Sequence, residues 1–138
     1  MIRRILLPLD CSPVDEAILR MLEELLPSLG AEVLLLRVIH AHTRDTLTEE
    51  REKAQRCLHQ AEERLGERGL PVRSEMAEGE VAPTIIRIAE GEKCDLIAMA
   101  THGHHAWERF ILGSVADLLR HGSSIPLLLV KATPGKGE

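Results

Sequence analysis

Short, almost wholly aliphatic runs alternate with longer amphipathic segments along the chain, and this alternation constrains the possible folds more than any other feature. Strands are predicted at residues 2–9, 32–39, 72–77, 94–100 and 125–130, and the continuous aliphatic runs among them fit strands buried on both faces. The segments between them predict helices at residues 13–29, about 47–68, 81–90 and 113–121. Strands that alternate with helices through short connections predict an α/β fold, a parallel sheet with helices on both faces.

Local signals indicate where these helices begin and end. Ser12 and Pro13 form a typical N-cap and first-turn pair, and Asp15 stands three places after Ser12, as in a capping box. Gly30 and Gly69 are expected to end the first and second helices. The third predicted strand is more polar than the others, so we expect it at an edge of the sheet.

The length and composition fit a single domain with an aliphatic core. The chain has 138 residues, of which 44% are apolar and only 1% are aromatic. That length supports one hydrophobic core but not two. We therefore predict one domain at residues 1–132 and a flexible tail at residues 133–138.

Charge and hydropathy argue against several classes of partner. The formal net charge is −5, from 17 basic and 22 acidic residues, and no continuous basic run is present, so nucleic acid is a poor candidate partner. No stretch approaches the roughly 18 apolar residues of a membrane span. The apolar start ends at Pro8 and Asp10, short of the roughly 7–15 apolar residues of a secretory signal. We expect neither export nor contact with a membrane.

The cysteines indicate a reducing compartment. Cys11, Cys57 and Cys94 are odd in number, widely separated and without the spacing of metal ligands. Such a pattern predicts three free thiols, and the simplest location for a protein with free thiols is the cytoplasm.

A glycine-containing loop follows the fourth predicted strand and ends in Gly113 and Ser114, where the fourth helix begins. Backbone amides at a helix N-terminus bind anions, and glycine lets phosphate oxygens approach the backbone closely. The pattern alone leaves two interpretations open. It could be a phosphate site, or Gly113 could form a tight turn and Ser114 a simple N-cap.

The loop resembles the nucleotide loop of the universal stress protein family, which is written G-x-x-G, nine residues, then G-[S/T]. Gly103 takes the second glycine position, residues 104–112 provide the nine intervening residues, and Gly113 with Ser114 completes the motif. The family's first, second and fourth strands and its C-terminal helix and strand are also similar to the corresponding segments, at residues 5–12, 36–39, 95–103 and 112–130.

Two loop positions depart from the family pattern. Ala100 stands at the first glycine position, and Ala106 stands where many nucleotide-binding members have a further glycine. A methyl group could crowd the nucleotide if the backbone there needs torsions that only glycine adopts. Because alanine is small, we expect weakened binding rather than none.

The resemblance implies a Rossmann-like domain with a five-stranded sheet of order 3-2-1-4-5. ATP, with Mg²⁺, would lie across the carboxyl ends of strands one and four. In this arrangement Pro8 and Asp10 would flank the nucleoside, and Val38 would bond to the adenine edge through its main chain. The residues implied around the ribose and phosphates are Ala100, Thr101, Gly103, His104, Gly113, Ser114 and Val115.

Several of these side chains have a second possible role. Asp10 could bind a ribose hydroxyl or a metal-bound water, or it could cap the first helix. Trp107 could cover the nucleotide or anchor the loop. The clustered histidines could hold a metal or contact phosphate, and we predict no metal site from their spacing alone; they are His40, His42, His102, His104 and His105.

The sequence favours binding over catalysis. It contains no Ser-His-Asp pattern, no metalloprotease motif and no Walker lysine, so we expect no enzyme beyond a slow ATPase. The resemblance implies a stress-response regulatory module that forms a homodimer through the aliphatic edge strand at residues 125–130. The alternative is a nucleotide-free dimeric interaction protein of the same fold.

Overall fold

The structure is a computed structural model that describes residues 1–40, 43–102 and 112–132. Within these residues strands and helices alternate in the order β1 (Arg4–Pro8), α1 (Asp15–Leu29), β2 (Glu32–Ile39), α2 (Arg44–Gly66), β3 (Val72–Glu78), α3 (Val81–Gly91), β4 (Leu96–His102), α4 (Leu112–Gly122) and β5 (Leu127–Ala132). All strand pairs are parallel, and the sheet has the order β3-β2-β1-β4-β5. The predicted α/β fold and its strand order are confirmed.

The sheet is the middle of three layers. Ile5 and Leu7 of β1 face one side and Leu6 faces the other, as the two-residue period of a strand requires. The first side is covered by apolar residues of α1 and α2, and the second by apolar residues of α3 and α4. Since both faces are covered, the central strands need apolar side chains at every position, which explains their continuous aliphatic runs.

The first helix begins later than predicted. It starts at Asp15, and its N-cap residue, Val14, makes no side-chain capping bond. Ser12 instead donates from Oγ to the Asp10 carboxylate at 3.0 Å and accepts from the Val14 N–H at 3.3 Å. These local bonds hold Ser12 and Pro13 in a turn before the helix. At the other end of α1 the prediction is confirmed, because Gly30 is left-handed with φ 66°.

The second helix is displaced from its predicted bounds at both ends. It begins at Arg44 because Thr43 is an N-cap whose side chain accepts from the Thr46 N–H. It ends at Gly66, and Gly69, with φ 77°, closes the following turn by donating to the Gly66 carbonyl at 2.9 Å. The predicted cap at Gly69 was therefore wrong, because the glycine belongs to the turn that follows the helix.

Two strands form the edges of the sheet, and the predicted edge position of β3 is confirmed. The other edge, β5, begins two residues later than the predicted 125–130. Pro126 lies just before the strand and accepts from the Ile97 N–H at 2.9 Å. Because proline has no N–H to donate, it suits this place at the strand's start.

The prediction of three free thiols was wrong for two of them. Cys11 and Cys57 form a disulfide, with their Cα atoms 5.8 Å apart, and Cys94 is free and buried. The pairing was invisible in the sequence because 46 positions separate the two cysteines. Packing of α2 on the sheet brings Cys57 to the loop that follows β1. None of the described helices has the length and apolar character that a membrane crossing requires.

Candidate functional site

The strand order reverses between β1 and β4. The chain runs outward from β1 to β2 and β3 with helices on one face, then returns to β4 and β5 with helices on the other face. In open parallel sheets, ligands bind outside the carboxyl ends of the strands at such a reversal, because the helices leave the two neighbouring strand ends in opposite directions. The fold therefore places a candidate site at the carboxyl ends of β1 and β4.

Hydrogen bonding between the central strands stops short of this end. Within the described ladder, β1 pairs with β4 at only two positions, the last being Leu6 with Ile97. By contrast, β1 stays paired with β2 as far as Pro8 with Leu36, and β4 stays paired with β5 as far as His102 with Ala132. The two central strands therefore each keep their outer partner while separating from one another, as at the ligand-binding crevice of open parallel sheets.

A buried carboxylate holds the loop that leaves β1 at this crevice. Asp15 is 8% exposed, and it accepts from the backbone N–H of Asp10 at 3.0 Å and of Cys11 at 2.7 Å. Burial raises the pKa of the Asp15 carboxyl to about 6, while the two backbone N–H groups lower it by a smaller amount. Cys11 has φ 61°, a left-handed conformation that non-glycine residues rarely adopt. The loop is thus held in an unusual shape by hydrogen bonds from its backbone to the Asp15 carboxylate and by the disulfide between Cys11 and Cys57.

Asp10 lies where the sequence analysis placed it, two residues beyond the end of β1. One carboxylate oxygen, Oδ2, accepts from Ser12 Oγ at 3.0 Å. The other oxygen, Oδ1, has no hydrogen-bond partner within the described part of the chain, and no amide of α1 donates to this carboxylate. The helix-capping alternative is therefore not observed, and a free acceptor remains for a ligand hydroxyl or a hydrated cation.

Val38 and Pro8 flank the same end of the sheet. Pro8 is the last residue of β1, and Val38 lies in β2, beyond the last residue that pairs with β1. The Val38 side chain is 5% exposed and packs on the α3 and α4 side of the sheet. Its carbonyl oxygen accepts from Arg37 Nη1 at 3.2 Å. Only the main chain of Val38 is therefore placed to contact a ligand at this edge.

Ala100 fits its position without glycine torsions. It pairs with Val130 inside β4, is 4% exposed, and packs on the α1 and α2 side of the sheet. Among described non-glycine residues, positive φ occurs at Cys11 and Lys93 and not at Ala100. The backbone at this position therefore accepts an alanine without strain.

The phosphate end of the predicted site is described only in part. Thr101 lies in β4, paired with Lys131. Gly113 and Ser114 lie in the first turn of α4, as predicted, and Val115 follows as a half-buried residue against α3 and α4. Gly103 and His104 lie outside the described residues, as do Ala106, Trp107, His42 and His105. The His40 ring Nδ1 is 3.4 Å from the Gly79 carbonyl oxygen.

Sequence reasoning missed two residues of this region. Asp15 was expected to form a capping box with Ser12, but its carboxylate turns back to the amides of the preceding loop. Cys57 was treated as an unrelated thiol, but it lies against Cys11. The one sequence signal for Asp15 was its spacing from Ser12, and no signal identified Cys57.

A groove elsewhere on the surface contains none of these residues. It has a volume of about 780 Å³ and lies between α3 and α4, where its lining includes Ile86, Arg87 and Leu118. None of the predicted site residues lines it, so we assign it no part in the site.

Comparison with known proteins supports the architecture. A model of the universal stress protein family matches residues 1–131. Among curated proteins of Methanocaldococcus jannaschii, universal stress protein MJ0531 is 38% identical over 59% of this chain, and the match spans about half of that relative, 48% of its length. Universal stress protein MJ0577 is 27% identical over 95% of this chain and 96% of its own.

Two solved structures are similar over nearly all of the chain. The structure of MJ0577 superposes with a TM-score of 0.81 at 28% identity, covering 98% of this chain and 99% of that one. A universal stress protein from Archaeoglobus fulgidus in complex with dAMP superposes with a TM-score of 0.74 at 22% identity, covering 95% of this chain and all of that one. The second likeness shows the fold alone.

Proposed function

The chain belongs to the universal stress protein family, and from this premise we propose that it is a stress-response regulatory module that binds ATP with Mg²⁺. The nucleotide would lie at the carboxyl ends of β1 and β4. One observation carries this proposal: pairing between the two central strands stops at Leu6 and Ile97, short of Asp10, whose Oδ1 has no hydrogen-bond partner among the described residues. A relative of the same fold in complex with dAMP supports an adenine nucleotide as the ligand.

Each end of the nucleotide would meet a different kind of group. The adenine would bond to the main chain of Val38, and Asp10 Oδ1 would accept from a ribose hydroxyl or hold a water of the cation. The phosphates would meet the backbone amides of Gly113 and Ser114, because the N-terminus of α4 carries a partial positive charge. Mg²⁺ commonly binds through one or two carboxylates together with substrate phosphates, and Asp10 suits that role.

Thermal unfolding tests the nucleotide proposal. A ligand bound only by the folded state adds RT ln(1 + [L]/Kd) to the free energy of unfolding, about 2.7 kcal/mol at a hundredfold excess over Kd. We expect millimolar ATP with Mg²⁺ to raise the melting temperature by several degrees. An unchanged melting curve would contradict the proposal and favour the nucleotide-free interaction protein, an alternative suggested by Ala100 and Ala106 in place of glycines.

Hydrolysis is expected to be slow at most, so the module would act by binding. Asp10 and Asp15 are the described carboxylates nearest the crevice, and Asp15 is already engaged with two backbone amides. The hydrogen bonds to both carboxylates come from the loop itself, and no described histidine or lysine pairs with either of them to form an acid–base couple. Release of phosphate at an ordinary enzyme rate, on the order of 10 per second, would contradict this proposal.

We also propose that the module forms a homodimer through β5. Its proposed location is the cytoplasm. The two edge strands differ in chemistry. Charged residues of β3 form ion pairs, Glu78 with Arg51 and Arg73 with Glu92, whereas β5 is aliphatic and its Leu129 is 42% exposed. An unprotected apolar edge strand favours pairing with a second copy.

Sedimentation velocity across micromolar concentrations tests the dimer. We expect a dimer that Leu129→Lys weakens, because a charge would be placed between the two aliphatic edges. Glu75→Lys, on the opposite edge strand, is the matched control and should leave the dimer intact. A species of monomer mass at every concentration would refute the proposed assembly.

A further inference from the structure

We propose that Cys11 and Cys57 form a reversible thiol–disulfide site that controls the shape of the loop between β1 and α1, and through it the affinity for nucleotide. The second half of this inference rests on the function proposed above. The first half does not, because it concerns the loop itself. In the cytoplasm, the location proposed above, disulfides are usually transient and redox-sensing.

The two sulfur atoms join elements that are otherwise distant in sequence. Cys11 lies in the loop at the carboxyl end of β1, and Cys57 lies on α2, 46 positions later. Their Cα atoms are 5.8 Å apart, within the usual range of about 4.4–6.8 Å for a disulfide. The backbone separation is thus that of an ordinary disulfide, and the bond ties the loop to a helix packed on the sheet.

The pair is accessible, unlike the third cysteine. Cys11 and Cys57 are both partly exposed at the edge of the α1 and α2 side of the core, whereas Cys94 is 6% exposed on the opposite side of the sheet. Burial raises the pKa of the Cys94 thiol to about 11, which further lowers its reactivity. Small thiols and disulfides can therefore reach one pair of sulfurs selectively.

The bond acts on the residues proposed to hold the nucleotide. Cys11 adopts a left-handed conformation, φ 61°, and its N–H and that of Asp10 donate to the same Asp15 carboxylate. Ligand atoms of Cys11, Asp15 and Cys57 all lie within 4.8 Å of one another. After reduction two thiols would face the carboxylate without the covalent tie, so the loop could relax from its unusual shape and move Asp10 away from the crevice.

The reaction partner is a low-molecular-weight disulfide. One cysteine thiolate attacks a sulfur of that disulfide, its S–S bond breaks, and one small thiolate leaves, which gives a mixed disulfide. The second cysteine thiolate then attacks the protein sulfur of the mixed disulfide and displaces the second small thiolate. Two protein thiols are oxidised and one small disulfide is reduced, and the two cysteine protons end on the two released thiols. Excess small thiol reverses each step.

Thiol trapping tests the site without any nucleotide. The folded protein is equilibrated in mixtures of reduced and oxidised glutathione, alkylated, digested and examined by mass spectrometry. We expect Cys11 and Cys57 to convert together, from both directions, while Cys94 remains unmodified. A pair that stays oxidised in millimolar reduced glutathione and dithiothreitol, or that never oxidises, would overturn the proposal.

Hydrogen exchange tests control of the loop. The amides of Asp10 and Cys11 should exchange several-fold faster in the reduced protein and in Cys57→Ser than in the oxidised protein. The amides of Arg3 and Arg4 donate to a different carboxylate, that of Asp95, and serve as an internal reference. Cys94→Ser, the matched control, should keep the difference between the oxidised and reduced forms. Equal exchange rates at Asp10 and Cys11 in both forms would overturn the proposal.

Titration with ATP and Mg²⁺ completes the test. We expect reduction, or Cys57→Ser, to weaken ATP binding by roughly tenfold, about 1.4 kcal/mol. Equal affinities in the oxidised and reduced forms would overturn the control of binding while leaving the proposed function intact. If neither form binds ATP but the exchange difference persists, the proposed function fails and the redox control of the loop stands.

Discussion

The two ends of β1 are held by the same kind of hydrogen bonding, but in different surroundings. At each end one carboxylate accepts from two successive backbone N–H groups. Asp95 binds those of Arg3 and Arg4 at the amino end, and Asp15 binds those of Asp10 and Cys11 at the carboxyl end. Each bond pair fixes a short stretch of backbone beside the central strand.

The surroundings of the two carboxylates differ. At the amino end, the backbone N–H groups of Arg3 and Arg4 lower the pKa of Asp95, and Arg4 forms an ion pair with Glu32 at 2.7 Å. At the carboxyl end, burial raises the pKa of Asp15 to about 6, and no ion pair involves it within the described residues. The amino end is closed by an ion pair between β1 and β2, and the carboxyl end keeps a left-handed loop beside the point where β1 and β4 separate. The comparison shows that the amino end of β1 carries stabilising contacts, whereas its carboxyl end carries the candidate site.

The largest expected effect is loss of binding from a change at the carboxyl end. Gly113→Val should abolish the rise in melting temperature with ATP, because a branched side chain would enter the space of the phosphates at the start of α4. Gly66→Val, at the other end of the sheet, is the matched control, since an added Cβ there meets nothing within 4 Å. If Gly113→Val binds ATP as well as the unmodified protein, the phosphates do not bind at the start of α4.

A smaller effect is expected from removal of each carboxylate. Asp15→Ala leaves two partly buried amides without an acceptor and should lower the free energy of unfolding by about 2 kcal/mol. Asp95→Ala should cost less, because the amides of Arg3 and Arg4 lie near the surface and water can replace the lost acceptor. Urea unfolding of the oxidised proteins measures both. A larger loss of free energy of unfolding for Asp95→Ala than for Asp15→Ala would contradict this ranking.

The two carboxylates should also respond to pH in opposite directions. Asp15 has a pKa near 3.8 unfolded and about 6 folded, so the stability gained by protonating it in the folded state falls as pH rises from 3.8 to 6 and is lost above that, while its hydrogen bonds to the two amides remain. The pKa of Asp95 is lowered on folding, so its contribution is present above 3.8 and is lost as pH falls through the folded pKa. Carboxyl carbon NMR should give a midpoint near 6 for Asp15 and below 3.8 for Asp95. A midpoint for Asp15 at or below its ordinary value would contradict the burial argument.

The smallest expected effect is at the ion pair of the amino end. About a third of each side chain of Arg4 and Glu32 is exposed, 32% and 36%, so solvent and salt screen their attraction. Glu32→Gln should therefore destabilise less than Asp15→Ala, and added salt should remove the difference from the unmodified protein. A loss that persists in molar salt would show that this end is held by more than surface charge.

The fold was predictable because its causes are local. Continuous aliphatic runs are required wherever both faces of a strand are covered, so the bounds of β2 follow from the sequence, and Gly30 marks the end of α1 by its conformational freedom. The strand order came from the family resemblance, since no local pattern fixes which strands become neighbours.

The site was less predictable because it depends on long-range geometry. The position of Asp10 followed from its place after a strand, but the spacing of Ser12 and Asp15 predicted a capping box where the structure has a carboxylate turned back on the loop. Nothing local indicates that Cys57 on α2 reaches Cys11. Such contacts arise only when separate elements pack together.

Mapping the nucleotide by amide chemical shifts tests the central claim most directly. ATP with Mg²⁺ is added to ¹⁵N-labelled oxidised protein, and the shifts at the two ends of β1 are compared. We predict saturable shifts at Asp10, Cys11 and Val38 and in the first turn of α4, with the amides of Arg4 and Asp95 unmoved. Shifts confined to the amino end of the sheet, or none at millimolar ATP, would contradict the assignment of nucleotide binding to the carboxyl ends of β1 and β4.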